Sequence, residues 1–184
     1  MNFPNEKKTL HCSVFSLENK LVRLAWNVVY LLFFRFSPVS MFSWRRMLLI
    51  WFGAKIHSSA RIYPSAKIWI PSNLSMGKDS TIGPAVNVYN QGRISLDERV
   101  IVSQYSHICA STHDYNDPLH PLILAPITIA NDVWVCADAF VGPGSHLSEG
   151  SVIGARAVIS KKTEPWSIYA GNPAKKIKDR RNFL

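Results

Sequence analysis

An aliphatic residue returns every six positions at Ile56, Ile62, Ile68 and Leu74, and the small residues Ala60, Ala66 and Ser72 each follow one of the first three by four places. The phase shifts by two at Met76 and shifts again near Leu96 into Leu96, Val102 and Ile108. After a gap the period resumes as Ile129, Val135, Val141, Leu147, Ile153 and Ile159, with Val133, Ala139, Ser145, Ser151 and Ala157 between them. A six-residue return is neither the 3.6 of an amphipathic helix nor the two of a half-buried strand, so it marks an internal repeat. The phase shifts suit corners or small bulges, and Gly77, Gly83, Gly142 and Gly154 suit tight turns. An antiparallel sandwich would show alternation of period two instead.

Ahead of this ladder, LVRLAWNVVYLLFFRF runs from Leu21 to Phe36 and MFSWRRMLLIWF from Met41 to Phe52, with Ser37-Pro38 between them. This pattern predicts two short helices with a break. The uninterrupted apolar run Val28–Phe34 falls well short of the roughly 20 residues that cross a bilayer. Two uses suit such helices. They can cover the otherwise open end of a stacked repeat. They can also lie in a membrane interface through residues 21–52, with Trp26, Tyr30, Trp44 and Trp51 at headgroup level and Arg45, Arg46 and Lys55 facing anionic lipid.

The ladder is interrupted from Ser111 to Thr128 by STHDYNDPLHPLILAPIT, and a loop leaving a regular repeat is where function is expected. The chain therefore divides into a helical segment (1–55), the repeat (56–163, insertion at about 112–126) and a C-terminal extension (164–184).

A length of 184 residues allows one domain with appendages. Lysine and arginine outnumber aspartate and glutamate 21 to 12, and Lys161, Lys162, Lys175, Lys176, Lys178, Arg180 and Arg181 concentrate the excess, which predicts an anionic ligand or surface. No nucleic-acid-binding signature accompanies the charge, so nucleic acid is not an expected partner. Cys12, Cys109 and Cys136 show no CxxC spacing, which speaks against disulfides and a zinc site and for a reducing cytoplasm. The first twenty residues lack the apolar core and cleavage site of a signal peptide.

AKIHSSARIYPSAKIW, STHDY, PITIANDVWV and EPWSIYAGNPAKKIK together resemble the hexapeptide-repeat acyltransferases, in particular the colanic-acid-type acetyltransferases of exopolysaccharide synthesis. The resemblance spans nearly the whole chain and implies a mainly β fold, a left-handed parallel β-helix in which three six-residue units make one coil. It implies transfer of an acetyl group from acetyl coenzyme A, as co-substrate, to a saccharide or lipid-linked saccharide hydroxyl. It also implies a homotrimer with the site between subunits, and a cytoplasmic protein, peripheral at most to the inner face of the membrane.

Carried over residue by residue, the resemblance makes His113 the general base, with Asp114 or a backbone carbonyl orienting its ring, and Asn90 an acceptor contact whose other reading is a turn asparagine. A sugar hydroxyl is a poor nucleophile at neutral pH, and an imidazole is the side chain suited to take its proton there. Trp134 matches a tryptophan beside the acetyl and pantetheine region, and Ala137, Gly142 and Ala155 match small residues along which pantetheine lies. Ser160 and Lys161 match adenine-site or phosphate-site positions, and Pro173, Lys175 and Lys178 match the segment closing over the nucleotide. Cys109 reads as filler rather than as an acyl carrier.

Two other readings remain. A zinc enzyme of the γ-carbonic anhydrase type needs three converging histidines, whereas His107 and His113, six apart, should fall on successive faces; no metal is expected. A non-catalytic scaffold would need neither STHDY nor the lysine-rich ending.

Overall fold

The computed structural model describes residues 15–183; Cys12 and most of the segment read for a signal peptide lie outside them. The ladder winds into a three-faced parallel β-helix whose coils lay short strands of two to four residues on the faces. The first face carries Lys55–Ile56, Leu74–Met76, Ile94–Leu96, Ile127–Ile129 and His146–Leu147 in that order. The second runs from Arg61–Ile62 through Trp134–Val135 to Ser167–Ala170, and the third from Lys67–Ile68 to Val158–Ile159.

Register explains the six-residue return. On the second face Ile62, Ile82, Val102, Val135 and Ile153 stack in line and are wholly buried. Each contributes roughly 1.5–3 kcal/mol by leaving water, and each is held by the coil above and below. The small residues between them, such as Ala60, Ala66, Ala139 and Ala157, fill the crowded corners.

The two-residue phase shifts are corner extensions. Lys55 pairs with Ser75 and Ser75 with Ser95, so the first two coils are twenty residues long, whereas Thr128 pairs with His146, an eighteen-residue coil. The extra residues lie between the third and first faces, where Pro71–Asn73 makes a short 3-10 turn. Leu74 is therefore not the counterpart of Ile56; Met76 is, and both Leu74 and Met76 face inward.

Gly77, Gly83, Gly142 and Gly154 do open tight turns, their carbonyls accepting from the N–H three residues on, but not because they need a left-handed backbone. The left-handed corner positions fall on Asp79, Ala85, Arg99, Tyr105, Asp132, Asp138 and Arg156, and on Gly144 and Gly150, each just before a small or β-branched corner residue. Gly77, Gly83, Gly142 and Gly154 have no positive φ; they are small because the next coil is too close. A Cβ on Gly83 would lie 2.8 Å from the Val102 carbonyl oxygen, and one on Gly142 would lie 2.8 Å from Ser160 Cβ.

The predicted helices form as Leu17–Val29, which runs into a π-turn at Tyr30–Phe34, and Phe42–Trp51. They close the first coil: Trp26, Phe34, Leu48 and Leu49 join the core, and Trp26 Nε1 donates to the Ile68 carbonyl at 2.8 Å. Arg45 is fully buried and donates to the carbonyls of Ile62, Pro38 and Val39 and to Ser37 Oγ at 2.6–2.8 Å, satisfying the backbone that the Ser37-Pro38 break leaves open. Trp26 and Arg45 thus serve the end cap and do not face lipid.

The C-terminal extension begins as another coil, since Ser167–Ala170 pairs parallel with Val152–Ile153 before Lys175–Asp179 folds back antiparallel. Arg180 pins this end by donating to the carbonyls of Asp132 and Gly150, both at 2.9 Å.

Candidate active site

The interruption leaves the third face at Cys109 and returns to the first at Ile127. Ser111–His113 pairs antiparallel with Leu122–Leu124, with His113 opposite Leu122, so His113 stands on a hairpin outside the three faces rather than on the face following His107. Asp117 and His120 close a turn, with His120 in the left-handed region (φ 45°).

That turn aims the His120 carbonyl at His113, whose Nδ1 lies 2.6 Å from it. A carbonyl only accepts, so Nδ1 carries the proton and Nε2 keeps its lone pair in the neutral ring. Asp114 takes no part in this pairing. Its Oδ1 accepts from the Asn116 N–H at 2.9 Å, an Asx turn that shapes the loop, so the backbone and not the neighbouring carboxylate orients the imidazole.

His113 lines a pocket of about 380 Å³ with Phe15, Tyr89, Gln91, Cys109, Ser111 and Leu122. Gln91 Nε2 donates to the Tyr89 hydroxyl at 3.0 Å, placing an amide and a phenol together on one wall. The half-buried Cys109 points its thiol at the Ser111 carbonyl. Tyr89 and Gln91 were legible only as the neighbours of Asn90 in VYNQG.

Asn90 itself requires correction. It is wholly buried; its Oδ1 accepts from the N–H groups of Trp69 and Ile70, and its Nδ2 donates to the Ile70 carbonyl. These bonds make it the tie of an extended corner, with no side-chain surface for an acceptor.

His107 packs against Tyr89 and Phe140 on the third face, and burial lowers its pKa. Among the described residues no group of three histidines, cysteines or carboxylates is placed to hold a metal ion.

The residues matched to coenzyme A occupy two edges and a face. Ala137 and the exposed Ala155 are corner residues between the second and third faces, whereas Gly142, Ser160 and Lys161 lie between the third and first, the edge that also carries His113. Trp134 is 45% exposed on the second face and donates through Nε1 to Ser103 Oγ. Pro173, Lys175 and Lys178 are exposed on the final turn and strand. Lys176 is held by Glu164 and Asp179, while among the described residues neither Lys175 nor Lys178 is in an ion pair. Exposed lysines beside small corner residues suit a phosphorylated, extended ligand.

No family model matches the chain. It is 36% identical over 155 residues to the putative colanic acid biosynthesis acetyltransferase WcaF of Escherichia coli, covering 84% of this chain and 85% of that one. The fold overlays the galactoside acetyltransferase solved with coenzyme A (TM-score 0.83, 21% identity, 92% of this chain and 86% of that one). It also overlays a hexapeptide-repeat acetyltransferase of Vibrio cholerae solved with acetyl coenzyme A (TM-score 0.82, 20% identity, 94% of both chains). With the coil register in agreement with a relative 36% identical over most of both chains, this chain belongs to the hexapeptide-repeat acetyltransferases, alongside the colanic acid type.

Proposed function

We propose that this acetyltransferase moves an acetyl group from acetyl coenzyme A to a saccharide hydroxyl, with His113 as the general base. The observation that carries the reading is the Nδ1 bond to the His120 carbonyl, which leaves Nε2 as the proton acceptor at the pocket wall. A hydroxyl seated beside Tyr89, Gln91 and Ser111 meets donors and acceptors of its own kind, and Nε2 takes its proton as the oxygen attacks. The bound co-substrate supplies the thioester carbonyl. The imidazolium, still held through Nδ1, then has a proton to return to the departing thiolate. General-base assistance of this kind is worth about 10²–10⁴ in rate.

The same reading calls for a homotrimer. In one chain the residues matched to coenzyme A are divided between two edges, and a three-fold arrangement sets one edge of a subunit against another edge of its neighbour. The relatives' names add weight for the acceptor, since one is assigned to colanic acid biosynthesis and another is a galactoside acetyltransferase. Lys161, Lys175 and Lys178 would meet the phosphates of coenzyme A.

The test is thiol release from acetyl coenzyme A with a panel of exopolysaccharide-derived sugars, comparing the wild type with His113→Ala at equal trimer content. Acceptor-dependent release that falls by two orders of magnitude or more in the variant is expected. Turnover within tenfold of wild type would remove His113 as the base, and no release with any sugar would favour the scaffold reading.

A further inference from the structure

The end cap uses only one side of the first helix. Leu17, Leu21, Leu24, Val28, Leu31 and Leu32 recur three or four residues apart on the opposite side, and each is 49–77% exposed. Phe33, Phe36 and Trp51 extend the apolar surface of the cap. A stripe of this size on a soluble protein marks a docking surface, and nothing within the described chain covers it. No described helix is long and apolar enough to cross a membrane, so whatever meets the stripe meets it side-on.

Charge chooses the occupant. Between residues 15 and 55 the cations Lys20, Arg23, Arg35, Arg46 and Lys55, with the buried Arg45 set aside, face a single acid, Glu18. The first coil beneath the cap adds Arg61 and Lys67, which with Lys55 are its outward strand positions on the three faces, all exposed. A second copy docking on the same stripe would bring like charges together, whereas an anionic bilayer offers hydrocarbon to the leucines and headgroup charge to the lysines and arginines. Phe15, two residues ahead of the first helix, lines the His113 pocket, so the stripe begins at the rim of the site.

We propose that the free face of the first helix seats in the interface of an anionic bilayer, and that the saccharide presented to His113 is one carried on a membrane lipid. The second clause rests on the acetyltransferase reading above; the first does not. Docking then concentrates enzyme and acceptor on one surface and places the pocket mouth at the membrane.

The experiment is flotation of the full chain with vesicles of phosphatidylcholine, with and without a third of phosphatidylglycerol. The wild type should bind the anionic vesicles, more weakly at high salt. Leu21→Gln/Leu24→Gln/Leu31→Gln should lose at least about tenfold in partitioning with an unchanged β-helix melt. Lys20→Gln and Arg35→Gln should each lose up to about fivefold. The triple variant should acetylate a free oligosaccharide as the wild type does, yet fall behind on the same saccharide attached to a lipid anchor in those vesicles.

Absence of wild-type binding, or equal binding by the triple variant, overturns the docking. If the variant instead changes only the assembly size in light scattering, the stripe belongs to a second copy and the proposal fails. Vesicle binding without acetyl transfer to any acceptor would sink the enzymatic reading and leave the docking standing.

Discussion

Replacing Asn90 by alanine separates a corner tie from an acceptor contact. The amide oxygen accepts from the N–H groups of Trp69 and Ile70 at 3.1 and 3.2 Å, and the amide nitrogen donates to the Ile70 carbonyl at 2.6 Å. Alanine strands the Ile70 N–H, at a cost of about 1–3 kcal/mol, whereas the Trp69 N–H keeps the Val88 carbonyl at 3.1 Å and the Ile70 carbonyl keeps the Asn73 N–H at 3.4 Å. Those two groups lose only a second partner, and Trp69 is half-buried so water can reach part of the vacated space; a total of about 2–4 kcal/mol follows. In a chain of this size that lowers the melting midpoint by roughly 4–16 °C.

Asn90→Asp sharpens the test. It keeps the acceptor but turns a carboxylate toward the Ile70 carbonyl, so its folded-state pKa is raised above the unfolded value. Its stability is therefore best below the unfolded pKa and is lost as pH rises through the folded one. Denaturant melts at fixed protomer concentration, paired with acceptor KM at a temperature where each variant is folded, give both readouts. The corner assignment predicts large stability losses with KM unchanged. An Asn90→Ala variant as stable as wild type, with acceptor KM raised tenfold, would refute it and restore the sugar contact.

Burial holds the His107 pKa below its ordinary value, so the unfolded chain takes up a proton first as pH falls. The stability present above about pH 6.5 should decline as pH drops toward the lowered folded value, and His107→Phe, which keeps an aromatic against Phe140 and Tyr89, should flatten that decline in acid-side denaturant melts. At the other end, Lys175→Ala and Lys178→Ala should each raise KM for acetyl coenzyme A by about 1.5–5-fold, an effect that high salt erases. Lys176→Ala should change it less, because that ammonium already serves Glu164 and Asp179; equal effects at all three positions would assign the phosphates no particular lysine.

Much of the fold is legible because the ladder imposes one rule at every coil: Ile62, Val102 and Val135 must face in, and only an aliphatic side chain satisfies that position. The same rule misled at Leu74, since a corner extension lets two residues of one strand face inward, and letters alone do not show where the extra pair goes. Arg45 and Asn90 were misread for a common reason. A polar side chain looks the same in sequence whether it meets solvent or spends its bonds on buried backbone, and only the fold shows the stranded carbonyls and N–H groups that recruit it. His113 stood out as a candidate through STHDY, and a backbone carbonyl was one of its two expected orienting partners, but which carbonyl was not legible, because a residue seven positions on leaves no trace in residue identity.

The placement of the pocket follows from the geometry of the coil. Along the first-to-second and second-to-third edges the step between inward residues is six throughout, as from Ile62 to Ile68 or Val135 to Val141. Only the third-to-first edge varies: eight residues from Ile68 to Met76 and from Val88 to Leu96, twenty-one from Ile108 to Ile129, and six from Val141 to Leu147. An insertion within a face would shift every strand pairing beyond it and turn the core outward, whereas one at an edge leaves the register intact. Confining every insertion to one edge brings their products together: the extended corner with Tyr89, Asn90 and Gln91, and beside it the hairpin with His113. The regular faces then act as the rigid support that lets a loop histidine and a corner tyrosine share a single pocket wall. The helical cap meets the same edge through Trp69, whose ring lies 5.0 Å from Phe15 and 3.8 Å from the Arg23 guanidinium. A stack of identical coils has thus been made asymmetric at one corner, and the candidate chemistry lies where the repeat is broken.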